Sequence, residues 1–165
     1  MTIRLWKEEM SKKLISPENL KSKIAELRLE KKTIATLNGS FDLLHAGHLQ
    51  IIFEASQMAD VLIVALNSDA SIKKYKSPIR PIIPLEYRIE MIAALQFVSY
   101  VTWFEETDPC NLLKIIKPDV HVNGSDYGQN CLEAPVVIQG GGKIHIAQFI
   151  PGLSTSTIVK KIKES

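Results

Sequence analysis

The sequence predicts a single α/β domain built on a parallel sheet with helices on both faces. Three observations predict it. Short β-rich runs and amphipathic helical stretches alternate about five times along the chain. One of those runs, Val61 to Leu66, is apolar without a break, as expected for a strand covered on both sides. The chain has 165 residues, of which 45% are hydrophobic, which suits one compact core and leaves little room for a second.

The elements follow in order. Ser16 and Pro17 read as an N-cap and a first-turn proline. Leu20, Ile24 and Leu27 then recur at helical spacing. Thr33 to Leu37 is a first strand, and Leu49, Ile52, Phe53 and Ala55 mark the helix after it. Val61 to Leu66 is the second strand. A lysine-bearing loop follows it, and then Leu85 to Val98 shows helical periodicity. Tyr100 to Phe104 is the third strand. Asp108 and Pro109 open a helix that runs to about Ile116. Val120 to Val122 is the fourth strand, and Leu132 to Gln139 a helix ended by the glycines at 140, 141 and 142. Ile144 to Ile146 is the fifth strand. Ser154 to Lys163 is a closing helix with lysines where its dipole favours them. Residues 1–32 form an N-terminal helical segment packed on the core, and 33–165 the domain proper.

Composition narrows the function. Twenty Lys and Arg against 18 Asp and Glu leave a formal charge of +2, so no global field favours nucleic acid, and any anion site must be local. Cys110 and Cys131 form no CxxC pair, which argues for two reduced, buried thiols in place of a zinc site. Met1 to Lys13 lacks the apolar run of a signal peptide, and no stretch approaches the ~20 apolar residues of a membrane span. A soluble, cytoplasmic protein is the expectation.

In a parallel sheet, ligands bind beyond the carboxyl ends of the strands, near a reversal of strand order. After the first strand comes Asn38-Gly39-Ser40-Phe41-Asp42-Leu43-Leu44-His45-Ala46-Gly47-His48. Gly39 permits a tight turn. His45 and His48 bracket Gly47 at a helix opening, where free N–H groups and the helix dipole attract phosphate and the two imidazoles add directed donors. After the second strand comes Asn67-Ser68-Asp69-Ala70-Ser71, then Lys73, Lys74, Lys76 and Arg80, which taken alone is a solvated basic loop. Asn123-Gly124-Ser125-Asp126-Tyr127 follows the fourth strand. Gly152-Leu153-Ser154-Thr155-Ser156-Thr157 follows the fifth, with more hydroxyls than a helix cap requires.

The first of these strings resembles the G-x-F-D-x-x-H-x-G-H signature of the cytidylyltransferase-like nucleotidyltransferases. The resemblance implies the Rossmann-like five-stranded fold of the HIGH superfamily and roles for particular residues. His45 and His48 would contact a triphosphate and stabilise charge during transfer. Gly39, Ser40, Phe41 and Gly47 would lie along the nucleotide, joined by Asp42 unless that residue only caps the turn. The segments around Asn67, Lys76 and Arg80, with Pro84-Leu85-Glu86-Tyr87-Arg88, are similar to the heptose 1-phosphate adenylyltransferases of lipopolysaccharide precursor synthesis. There Lys76 would reach the phosphates as a third catalytic residue. Asn67, Asp69, Arg80 and Arg88 would bind substrate, Arg88 having a helix-surface salt bridge as its alternative.

Asn123, Gly124 and Asp126 would bind nucleotide, as would Gly152, Ser154, Thr155 and Ser156, which resemble a G-x-S-T-T-x-I element. Three positions depart from the pattern: Asn123 stands for a lysine, Ser125 for a glycine and Ser156 for a threonine.

The resemblance further implies ATP and a sugar phosphate as substrates, and Mg2+ held mainly through the phosphates. It gives no role to nucleic acid or membrane, and it makes a homodimer an expectation although no stretch identifies an interface. The rivals are a glycerol 3-phosphate-type cytidylyltransferase using CTP and a nucleotide-binding regulatory module without turnover. A dinucleotide oxidoreductase fits poorly, since no G-x-G-x-x-G follows the first strand.

Overall fold

A computed structural model of the chain describes residues 5–124, 128, 130–148 and 154–164. A five-stranded, all-parallel sheet organises them, in the order β3-β2-β1-β4-β5. The strands are β1 (Ile34–Gly39), β2 (Val61–Asn67), β3 (Tyr100–Phe104), β4 (Val120–Gly124) and β5 (Lys143–Ala147). The helices among the described residues are α1 (Trp6–Ser11), α2 (Pro17–Leu29), α3 (Ala46–Ser56), α4 (Asp69–Tyr75), α5 (Leu85–Ala93), α6 (Cys110–Ile116), α7 (Ala134–Gln139) and α8 (Thr155–Glu164).

The alternation of side chains along a strand divides the core in two. Ala35, Leu37, Leu62, Val64 and Leu66 face Ile52 and Ala55 of α3 and Ile92 and Ala93 of α5. Their neighbours Ile34, Val61, Ile63 and Ala65 face the other way, onto α2, α6 and Val137 of α7. The continuous apolar run of β2 is thus buried on both faces, as its composition requires. Leu20, Ile24 and Leu27 form the buried stripe of α2, as their spacing predicts. Ser16 does stand at the N-cap of α2, but its side chain makes no capping bond. Gly141, at φ +91, takes the left-handed turn after α7 that glycine adopts without penalty.

Two helices depart from the sequence expectation. α1 buries no residue and docks by Trp6 Nε1 donating to Glu90 Oε2 at 2.7 Å. α4 occupies part of the expected lysine-bearing loop. Ser68 caps it, accepting from Ser71 N, and Lys73 and Lys74 lie in its last turn, so only Lys76 leaves the helix toward the sheet's end. On the edge of β3, Leu14 makes an isolated parallel bridge to Val101, which covers part of an otherwise open strand.

Strand order reverses between β1, whose chain continues to β2 and β3, and β4, whose chain continues to β5. The carboxyl ends of β1 and β4 therefore lie side by side, and a crevice opens above them.

Candidate active site

A cavity of about 480 Å³ fills that crevice. Its floor is Leu37, Asn38 and Gly39 of β1 with Asn123 and Gly124 of β4. On the α3 side stand His45, Gly47, His48 and Ile51; on the α6/α7 side stand Asp108, Pro109, Leu132 and Glu133.

The turn after β1 is built around Phe41, whose φ of +46 is rare for a residue with a side chain. Such conformations persist where surrounding contacts hold them, and they cluster at functional sites. Here the buried ring of Phe41 packs under Gly39, where an added Cβ would come within 3.1 Å of it, and meets His48 edge-on at 5.3 Å. His45 is the N-cap of α3, in extended conformation, and its side chain caps nothing. The imidazoles of His45 and His48 stack at 3.8 Å between centroids.

That environment keeps the rings neutral. Burial first, then the fields of His45 and Lys76, lower the pKa of His48 to about 4, although the Leu43 carbonyl partly opposes them. Burial also lowers that of His45. Lys76, which donates from Nζ to Ser40 Oγ at 2.8 Å, is lowered as well, by desolvation and then by Arg80. Two uncharged imidazoles, an ammonium held part-way out of water and the N-terminus of α3 thus converge on one end of the cavity, an arrangement suited to polyphosphate.

Unmet hydrogen-bonding capacity marks the same place. Asn38 Oδ1, His45 Nδ1, His48 Nδ1, Asn123 Nδ2 and Glu133 Oε2 are all buried without a partner, and all five residues line the cavity. Buried polar atoms are normally satisfied, so such a concentration around one cavity marks a place where a polar ligand can bind.

The structure brings together His45, His48, Lys76, Gly39, Ser40, Phe41, Gly47, Asn67, Asn123, Gly124, Ser154 and Thr155. Asp126 and Gly152 lie outside the described residues. Five expected residues are placed elsewhere, each for a physical reason. Arg88 has no exposed surface. It donates to the carbonyls of Ile83, Ser40 and Asn67 and to Asp69 Oδ1, so four of its five N–H donors are committed to protein and the group presents no surface to the cavity. Asp69 is the partner in that ion pair, at 2.6 Å. Asp42 is buried, accepts at Oδ1 from Ile82 N and Ile83 N, and pairs through Oδ2 with Arg80 at 2.7 Å. Asp42 and Arg80 therefore fix the segment before α5 and do not face the cavity. Ser156 is exposed, carried off the wall by the helical turn after Thr155. Ser154 lines the wall, but its hydroxyl accepts from Thr157 N at 3.1 Å, as an ordinary cap does.

Several wall residues were not expected, among them Asn38, Tyr75, Thr107, Asp108 and Glu133. Asn38 precedes the glycine of the first motif and was the one open to sequence reasoning. The others reach the site only through the packing of α4, α6 and α7.

A parallel α/β sheet with a glycine-bearing turn, paired histidines and a helix N-terminus over its switch point is the architecture of a nucleotidyltransferase. Comparison with known proteins agrees: the chain belongs to the cytidylyltransferase-like family, whose model matches residues 36–161. It is 40% identical over 148 residues to the bifunctional protein HldE of Hahella chejuensis, covering 89% of this chain and 31% of that one. It is 38% identical over 156 residues to the bifunctional protein HldE of Campylobacter jejuni subsp. doylei, covering 94% and 32%. The chain thus spans about a third of the length of these curated relatives.

Among solved structures, the lipopolysaccharide core biosynthesis protein of Thermoplasma volcanium superposes with a TM-score of 0.59 at 24% identity, over 72% of this chain and 97% of that one. The pantoate-beta-alanine ligase of Francisella tularensis does so with 0.57 at 19%, over 92% and 78%. Both likenesses are of fold. No described helix is long and apolar enough to cross a membrane.

Proposed function

We propose that the protein transfers the AMP part of ATP to a sugar 1-phosphate, D-glycero-D-manno-heptose 1-phosphate, giving ADP-heptose and pyrophosphate. The observation that carries this reading is the convergence of His45, His48, Lys76 and the α3 N-terminus on a cavity that also holds unpartnered acceptors and donors suited to a sugar. The similarity to bifunctional HldE proteins supports the choice of acceptor, and the sequence resemblance to heptose 1-phosphate adenylyltransferases supports it further.

The chemistry follows from charge. A phosphomonoester has a second pKa near ~6, so the acceptor arrives largely as a dianion and needs no base. Its phosphate oxygen attacks the α-phosphorus of ATP in line. The bond from that phosphorus to the bridging oxygen breaks, and pyrophosphate leaves with the electron pair. Neutral imidazoles serve as N–H donors to the phosphates, and Lys76 supplies formal positive charge. Phosphate beside His48 would raise its pKa from that low value, adding charge when it is needed. Mg2+ accompanying ATP would be held through phosphate oxygens and water; among the described residues no three potential ligands stand together.

The test is pyrophosphate release with ATP or CTP against heptose 1-phosphate and glycerol 3-phosphate. Release with ATP and the heptose alone is expected. Release with CTP and glycerol 3-phosphate would replace the reading by a cytidylyltransferase. ATP binding with no release from any pair would leave a regulatory module.

A further inference from the structure

β4 carries two polar side chains, His121 and Asn123, two residues apart and so on one face of the sheet. Asn123, 5% exposed, reaches the cavity floor. His121, 0% exposed, lies beneath it in the core, where no substrate touches it. A buried imidazole is costly to desolvate, and an apolar side chain at this position would pack without that cost.

The ring is engaged on both sides. Thr36, its neighbour in the β1–β4 register, stands with Oγ1 2.7 Å from Nδ1. That leaves Nε2 for the Asn123 amide. The contact is looser than an ordinary hydrogen bond, but it favours a proton on the ring and partly opposes the burial that lowers its pKa to about 4. An amide oxygen has that effect, and an amide N–H would have the reverse. Nε2 therefore carries the proton of the neutral ring and directs it at Asn123 Oδ1, while Nδ1 accepts from the Thr36 hydroxyl. With Oδ1 turned toward His121, the amide nitrogen faces the other way. The Cys131 thiol agrees: burial first and Glu133 next raise its pKa, and Asn123 is among the groups that lower it, as an N–H beside sulfur does. Sulfur is a weak acceptor, which a ligand oxygen outcompetes.

We infer that His121 is a positioning residue for the nucleotide: it fixes the Asn123 amide with its donating end toward the cavity. The inference deepens the function proposed above and rests on it for the identity of the ligand. The side chain at 123 explains the need. In the pattern that the chain resembles, this position is a lysine, and Asn123 replaces it. An ammonium donates in every direction and needs no orienting, whereas an amide has a donor at one end and an acceptor at the other. Turned over, Asn123 would offer an acceptor to ligand oxygens that are themselves acceptors. The ligand is the nucleotide because of where β4 lies. It adjoins β5, which leads to Ser154 and Thr155, and β1 separates it from β2, which leads to Asn67 and Lys76.

The test measures Kd for ATP by calorimetry, with Mg2+ and no acceptor, in the wild type, His121→Leu, Asn123→Ala and the double variant. KM for heptose 1-phosphate and kcat are taken from pyrophosphate release. His121→Leu is expected to weaken ATP binding about fivefold, the scale of one neutral hydrogen bond, with KM for the heptose and kcat within twofold. Asn123→Ala should do the same and the double variant no more, because His121 acts only through Asn123; independent effects would multiply to about twenty-fivefold. His121→Gln, whose amide nitrogen can stand in for Nε2–H, should bind ATP within about twofold of the wild type. Multiplied losses would overturn the inference, as would ATP binding unchanged in a folded His121→Leu protein, whatever its melting temperature. A rise confined to the heptose would overturn it too. If His121→Leu fails to fold, His121→Asn decides by the same criteria, since its shorter amide keeps a partner for Thr36 but cannot reach Asn123. ATP binding that depends on His121 without any pyrophosphate release would overturn the proposed function and leave this inference standing. Release with ATP and the heptose at an unchanged ATP Kd would do the reverse.

Discussion

Two clusters of charged and titratable residues lie within a few residues of the strand ends, and they have opposite fates. Around Arg88, every strong group is committed: four hydrogen bonds bind its guanidinium to protein, Asp69 pairs with it, and Asp42 pairs with Arg80. Around His48, the groups are idle: both imidazoles have a buried, unpartnered Nδ1. The first cluster locks together the turn after β1, the end of β2 and the start of α5. The second faces a cavity. Proximity to a strand end does not distinguish a strut from a ligand contact; unspent bonding capacity does.

Removing a strut should cost stability, and that is the largest effect expected. Arg88→Met leaves the carbonyls of Ser40, Ile83 and Asn67 and the carboxylate of Asp69 without their donor. A loss of about 3–5 kcal/mol follows, as for one partner deleted from a buried pair, or about 10 °C or more in Tm. Arg88→Lys should recover little, because an ammonium cannot span that forked set of acceptors. Calorimetric melting checks both. A variant that melts like the wild type but loses affinity for substrate would return Arg88 to the binding site.

The converse holds for the idle cluster. His48→Ala should lower kcat by roughly 10²–10³, about 2.7–4 kcal/mol, the scale of one lost charge-stabilising donor. Tm should stay within a few degrees. Activity within a few-fold of wild type would make the histidines scaffold and erase the distinction between the clusters.

Much of this was legible in the sequence, and the reasons divide along the same line. The strands were readable because a parallel sheet buried on both faces demands uninterrupted apolar runs, and Val61 to Leu66 has no other stable use. The first βα turn was readable because a histidine pair beside a glycine at a helix opening points to anion binding. α4 was hidden: it buries only Ser71 and Ile72, so no apolar stripe offsets the loop-like look of its lysines. The role of Arg88 was hidden because its acceptors come from three separate segments of chain. Glu133 was hidden because it reaches the cavity only through the packing of α7.

Protonation separates the two kinds of residue again, now among the histidines. His121 is fully buried on β4, with Nδ1 2.7 Å from Thr36 Oγ1, and burial lowers its pKa to about 4. His48 has the same low value beside an open cavity. Both stand below the ordinary 6.5, so the unfolded chain takes up protons first, and stability falls as pH drops from about 6.5 toward 4. Between pH 7 and pH 5 each ring should cost about 2 kcal/mol. Denaturant unfolding at the two pH values tests this. His48→Gln should remove one ring's share, and saturating ATP should suppress the His48 share while leaving that of His121. A pH slope that neither His48→Gln nor ATP alters would show that His48 is not held neutral by the pocket.

The smallest effect is expected at Lys76, which stands between the clusters. It leaves α4 as the C-cap, bonds to Ser40 Oγ, and is depressed by burial and by the neighbouring Arg80 charge. If it belongs with the idle groups, Lys76→Met removes one cation from the phosphate end while the two imidazoles and the α3 N-terminus remain. A loss of about tenfold in kcat/KM, about 1.4 kcal/mol, follows. Tm should hold or rise slightly, because Met carries no charge to desolvate beside Arg80. A Tm lowered by several degrees with kcat/KM intact would instead place Lys76 among the struts, its bond to Ser40 serving to hold the turn after β1.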